Sequence, residues 1–123
     1  MSDLTRGFDV ASKLLDFTSA RARALATNVA HASEKDYRRV DVDFAALVEA
    51  VRAERERGGQ GALAEAQPKA VVDARAARGR NGNTVDFERE MVQMDKNALL
   101  HELATFFVNS KLNSLRSAIR GQS

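Results

Sequence analysis

From Asn83 to Arg120 the chain contains neither proline nor glycine. A run of that length leaves little room for anything but one long helix. Its start is marked by Asn81-Gly82, a turn signal in which both residues tolerate positive φ. Asp86 follows as a helix N-cap, with Glu88 and Glu90 where negative charge suits the helix dipole. Lys111, Arg116 and Arg120 place positive charge toward the other end. A helix is predicted over residues 86–120.

The apolar spacing says how that helix packs. Phe87, Met91, Met94, Ala98 and His101 step alternately by four and three. Thr105, Val108, Leu112, Leu115 and Ile119 carry the steps on, the pattern of a coiled-coil seam. Beside the seam lie Leu99, Leu100, Leu103, Phe106 and Phe107. With them the apolar arc is about 200° wide, against roughly 100° for an ordinary core-facing stripe. One partner helix does not cover such an arc. At ~1.5–3 kcal/mol per buried large side chain, the flanking group is worth on the order of 7–15 kcal/mol. A whole small domain has about that much net stability. Leu99, Leu100, Leu103, Phe106 and Phe107 are therefore predicted to face neighbouring molecules.

A second heptad pattern opens the chain. Phe8, Ala11, Leu15, Thr18, Ala22, Leu25, Val29 and Ala32 predict a helix over 4–33, weakened at its first turn by Gly7. Leu14 and Phe17 flank that seam and join the predicted assembly surface. Two such helices, ~45 and ~50 Å long, exceed the ~35 Å diameter of a compact globule of this length. The expected fold is all-α: an elongated antiparallel coiled-coil hairpin of N- and C-terminal helices, read as a single domain over 1–123.

Between them lies a connecting segment, 34–82. Residues 34–42 read as extended around Tyr37. Asp43 caps a short helix over 43–57, with Phe44, Leu47, Val48 and Val51 on its apolar face and Gly58-Gly59 as its stop. Residues 58–82 read as a flexible loop, in which Ala70-Val71-Val72 is the sole candidate strand.

Little in the chain suggests chemistry. Cysteine is absent, which excludes disulfides and thiolate sites. His31 and His101 lack companions at metal-ligand spacing. Asp41 and Asp43 read as capping and turn residues. No nucleophile elbow or phosphate loop is present. Catalytic, cofactor-binding and metal residues are therefore expected to be none. The net charge of +2 comes from interleaved signs; only Arg75, Arg78 and Arg80 form a local basic cluster, without an aromatic.

Two blocks resemble the bacterial flagellar rod proteins. Leu25-Ala26-Thr27-Asn28-Val29-Ala30-His31, running on to Tyr37 and then Asp43-Phe44, is similar to the family's N-terminal signature, L-A-x-N-I-A-N-x-x-T-P-G-Y. Gly82-Asn83-Thr84-Val85-Asp86, followed by Glu90-Met91, is similar to the C-terminal block D-G-N-x-V-D-x-x-x-E-M, with Asn97 beyond it. Glu34-Lys35-Asp36 replaces Thr-Pro-Gly before Tyr37, and His31 replaces an asparagine.

The resemblance implies a non-enzymatic subunit of the proximal rod in the flagellar basal body. Its partners would be other rod proteins, the inner-membrane ring protein, the rod-base adaptor and export-gate components. It would form a homo- and hetero-oligomeric helical assembly, with no nucleic acid and no small-molecule substrate. Such proteins lie in the periplasmic rod and leave through the flagellar type III apparatus without a cleaved signal. The N-terminus fits, since no basic region followed by an apolar core opens the chain. The contrasting reading is a cytoplasmic helical adaptor or nucleic-acid-binding module, resting on the Arg75–Arg80 cluster.

Overall fold

A computed structural model describes residues 3–57 and 61–121. The elements are, in order, α1 (Asp3–Ala30), β1 (Val40–Val42), α2 (Ala45–Arg57), α3 (Ala62–Glu65), β2 (Ala70–Val72) and α4 (Phe87–Arg120). The chain is mostly helical, with long helices at both ends. It is not all-α: β1 and β2 form a two-stranded antiparallel sheet with Val40 opposite Val72 and Val42 opposite Ala70.

α1 is the central element. One side packs on the middle of the chain, where Phe17, Ala24, Val42, Leu47, Ala50 and Leu63 form the apolar core. The ring of Phe17 meets that of Phe44 edge-on, with centroids 5.6 Å apart. The other side of α1 carries α4. The α4 contacts move along α1 in reverse: Glu90 meets Asn28, Gln93 meets Arg21, and Asn97 and His101 meet Thr18. The two helices are therefore antiparallel. Extending that register, roughly the last two turns of α4 run past Asp3.

Several boundaries differ from the sequence reading for identifiable reasons. α1 stops at Ala30 rather than Ser33 because Asn83 reaches its end. The Asn83 amide donates to the carbonyls of His31 (2.9 Å), Ala32 (3.2 Å) and Glu34 (2.6 Å), holding the turns that follow the helix. α2 begins at Ala45, whose amide donates to the Asp43 carboxylate at 2.8 Å. Val48, expected on its apolar face, is exposed. The expected stop at Gly58-Gly59 lies outside the described residues. The segment read as loop carries α3 and β2 from Gly61 onward. Leu63 is buried in the core, and Lys13 Nζ donates to the Ala66 carbonyl at 2.7 Å.

α4 is turned from the expected seam by roughly 50° about its axis. Its buried residues are Glu90, Asn97 and Ala104, one heptad apart. Met94, His101, Thr105 and Val108 border that line half-buried, while Phe87, Met91 and Ala98 are exposed. Hydrophobicity alone does not select this face. The carboxylate of Glu90 and the amide of Asn97 find partners only when turned toward α1 and the start of β1.

Candidate functional site

Two features stand out: a polar clasp that joins the two signature blocks, and an apolar surface along α4.

The clasp centres on Glu90, 1% exposed. Arg39 donates to both its oxygens, Nε to Oε1 at 2.6 Å and Nη2 to Oε2 at 3.0 Å. Such two-point pairing fixes geometry as well as charge. Asn28 Nδ2 donates to Oε1 at 3.0 Å. Asn28 is fully buried and also bonds both backbone groups of Val40, accepting from its amide at 2.9 Å and donating to its carbonyl at 2.7 Å. It thus aligns β1 against α1.

Arg39 has further acceptors in Asp73 (2.6 Å) and Asp41 (3.2 Å). Asp41 in turn accepts two bonds from Arg21, at 2.8 and 3.2 Å. The hydrogen bond to Glu90 is the main reason the Arg39 pKa is raised, against a desolvation that works to lower it. For Asp41, burial works against the carboxylate. The Arg21 hydrogen bond, the Val42 amide and the charges of Arg21 and Arg39 outweigh it and hold its carboxyl below the ordinary value. Tyr37 is pushed up, by desolvation first and then by the nearby Glu34 and Glu90.

The turns beside the clasp are cross-tied. The Thr84 amide donates to the Tyr37 carbonyl at 3.0 Å, and the Arg39 amide donates to Thr84 Oγ1 at 2.8 Å. His31 stacks on Tyr37 with centroids 4.6 Å apart. Asp36, where the family pattern has glycine, adopts φ 60°, so the left-handed turn persists without glycine. Its amide donates to the Asn81 carbonyl at 3.0 Å. Asp86 caps α4, accepting from the amides of Glu88 and Arg89.

Most of the sequence-derived motif residues thus meet in one region: Asn28, Tyr37, Gly82, Asn83, Val85, Asp86 and Glu90. Leu25 is fully buried in α1, whereas Ala30 ends it exposed. Asp43 and Phe44 belong to the start of α2, and Met91 is exposed. Arg39, Arg21, Asp73 and Thr84, equal members of the clasp, were not singled out from sequence. Nothing in spacing distinguishes Arg39 from Arg38. Asp41, read as a turn residue, is an ion-pair partner. Among the described residues, no group of three or more His, Asp or Glu is placed to hold a metal ion.

The second feature is the outer face of α4. Leu99 is 68% exposed and Phe106 66%; Leu103 and Phe107 are about half exposed, and Leu112, Leu115 and Ile119 continue apolar exposure to the helix end. Leu100 is half-buried at the edge of this stripe. Two residues of the predicted assembly surface belong elsewhere. Phe17 is 0% exposed, its ring held inside the core against Phe44, so it has no surface to offer a neighbour. Leu14, partly buried, packs against the same core. Both were assigned outward because the middle segment's core, on that side of α1, was not legible.

No family model matches the chain. Comparison with individual proteins is informative. A predominantly helical chain whose signature blocks close on one another, leaving an apolar outer helix face, is here homologous to bacterial flagellar rod proteins. The relatives carry one name, flagellar basal body rod protein FlgB. The chain is 28% identical to that of Aquifex aeolicus, with 98% of each chain covered. It is 28% identical to that of Aeromonas hydrophila, with 95% of each covered. To that of Salmonella typhimurium it is 27% identical over 87% of this chain and 88% of the relative.

Proposed function

We propose that this protein is a structural subunit of the proximal rod of the bacterial flagellum, connecting the inner-membrane ring to the distal rod and transmitting torque. The single observation that carries this reading is the apolar stripe of α4, exposed in a chain whose relatives are rod proteins. Exposed contiguous apolar surface of this kind marks an interaction site. In the assembly α1 and α4 pair as a coiled-coil hairpin. Leu99, Leu103, Phe106 and Phe107 pack on adjoining subunits, with Leu100 at the edge of the contact. The contact is heterologous and repeats along a helix without closing.

The partners are further copies, other rod proteins, the ring protein, the rod-base adaptor and the export gate. The chain reaches the periplasmic rod through the flagellar type III apparatus. Its role is mechanical and involves no catalysis and no cofactor. The motif residues serve to close the two chain ends on each other and so present the stripe.

The adaptor or nucleic-acid reading gains nothing from the geometry. Arg75 and Arg78 border an open hollow of about 740 Å³ that also holds Asp41, Asp73, Asp86 and Glu90, a mixed rather than basic lining. Locating an epitope-tagged copy in purified basal bodies tests the proposal. Co-purification with the rod is the expected result; a tagged chain that stays in the cytoplasm of motile cells would overturn it.

A further inference from the structure

We propose that the outer edge of β2 is a docking site for an extended segment of a different rod protein, apolar at its centre and acidic toward one end. This rests on the reading of the chain as a rod subunit, and adds a contact that the α4 stripe does not make.

The register of the sheet decides which backbone groups are free. Val40 pairs with Val72, so Arg39 stands opposite Asp73, and the Asp73 amide donates to the Arg39 carbonyl at 3.0 Å. In an antiparallel ladder, hydrogen-bonded pairs alternate with pairs that are not. Asp41 and Val71 are therefore the next bonded pair, and the amides and carbonyls of Ala70 and Val72 point away from β1. Among the described residues, nothing in the chain bonds these outward groups. The opposite edge of the sheet is closed, because Asn28 takes both backbone groups of Val40 there. The sheet can grow on the β2 side alone.

β2 is open on its faces too. All three of its residues are exposed. Val71 and Val72 point to opposite faces, and each is 47% exposed. Edge strands are commonly protected by a charge, a proline or a bulge, and Ala70-Val71-Val72 carries none of these. A further strand on this edge would satisfy the outward groups, and its side chains would flank both valines.

Charge indicates the occupant. Lys69 precedes the strand, and Arg75, Arg78 and Arg80 follow it, all exposed. None of the four has an ion-pair partner among the described residues. Such flanks favour carboxylates on the partner, most of all at the end that meets the three arginines. The chain's own segment of this kind, Val40-Asp41-Val42-Asp43, already forms β1. A second copy therefore has no free strand of this chemistry among its described residues, and the occupant is a different rod protein.

Basal bodies purified from cells carrying the chain as sole copy test this. A photo-reactive amino acid at Ala70 should cross-link, within the rod, to an extended segment of a different rod protein, identified by mass spectrometry. Val72→Pro deletes only an outward amide, so the purified chain should melt within a few degrees of the parent. Its incorporation into basal bodies should fall at least about fivefold, whereas Val72→Thr, which keeps the amide, should incorporate normally. Cross-linking to anything else, a second copy of this chain included, would overturn the proposal. So would an incorporated protein that forms no adduct, normal incorporation of Val72→Pro, or an equal loss with Val72→Thr. The cross-link decides alone if Val72→Pro melts far below the parent. A parent chain absent from the basal body would instead overturn the rod reading.

Discussion

Gly82 and Asp36 face one another across the junction of the two chain ends, both with left-handed backbone: φ is 77° at Gly82 and 60° at Asp36. A Cβ at Gly82 would overlap the Asp36 carboxylate. Gly82→Ala therefore combines an unfavourable φ with a clash and should cost more than ~1 kcal/mol. Thermal melts should show a fall of about 3–6 °C. Adding Asp36→Gly should recover part of it, since that change removes the obstructing carboxylate. Independent, additive effects would show that the two residues are not coupled.

Phe17 and Phe106 make a direct contrast. Phe17 is fully buried, whereas Phe106 is 66% exposed. Phe17→Ala should destabilise the isolated chain by about 3–5 kcal/mol, the cost of emptying a core position. Phe106→Ala should stay within about 0.5 kcal/mol, as for a surface site. Chemical denaturation of the two variants measures both.

Much of this architecture was legible in the sequence, and the reasons differ from part to part. The long helices follow from uninterrupted helix-compatible runs, and Asp86 was visible as the cap of α4. The Asn28 and Glu90 blocks were recognisable as motifs. Their meeting was not, because it depends on Arg39, whose position gives no periodic signal. The rotation of α4 was misread because the apolar steps through Phe87 and Met91 mark one face, whereas the line actually buried, Glu90, Asn97 and Ala104, carries two polar residues that an apolar pattern does not select. Phe17 was placed outward since its cover, Phe44 and the α2–α3 layer, comes from a segment with weak local signals.

Asn28 holds α1 and β1 together through the amide and carbonyl of Val40. Asn28→Ala leaves both backbone groups without those partners in a buried position. The expected cost is about 2–5 kcal/mol, the sum of small penalties for each unsatisfied group. Asn28→Asp should restore acceptance from the Val40 amide but not donation to its carbonyl. Because it also sets a carboxylate oxygen against Glu90 Oε1, where the Asn28 amide donated at 3.0 Å, its stability should be no higher than that of the alanine variant, read by urea denaturation.

The acid limb of stability should report Asp41. Its folded carboxyl pKa is depressed, with burial opposing and the Arg21 hydrogen bond leading the groups that prevail. The contribution is therefore fully present above the unfolded value, near ~4, and is lost as pH falls through the lower folded value. Melting temperatures below about pH 4 should fall less steeply for Asp41→Asn than for the parent. An unchanged acid slope would remove Asp41 from the account.

The most direct test places a charge on the outer face of α4. Phe106→Asp should leave the melting temperature of the purified chain within a few degrees of the parent, because that side chain is largely exposed. In cells carrying it as the sole copy, purified basal bodies should lack the protein and motility should be lost. Normal incorporation and swimming would contradict the claim that neighbouring subunits cover this surface.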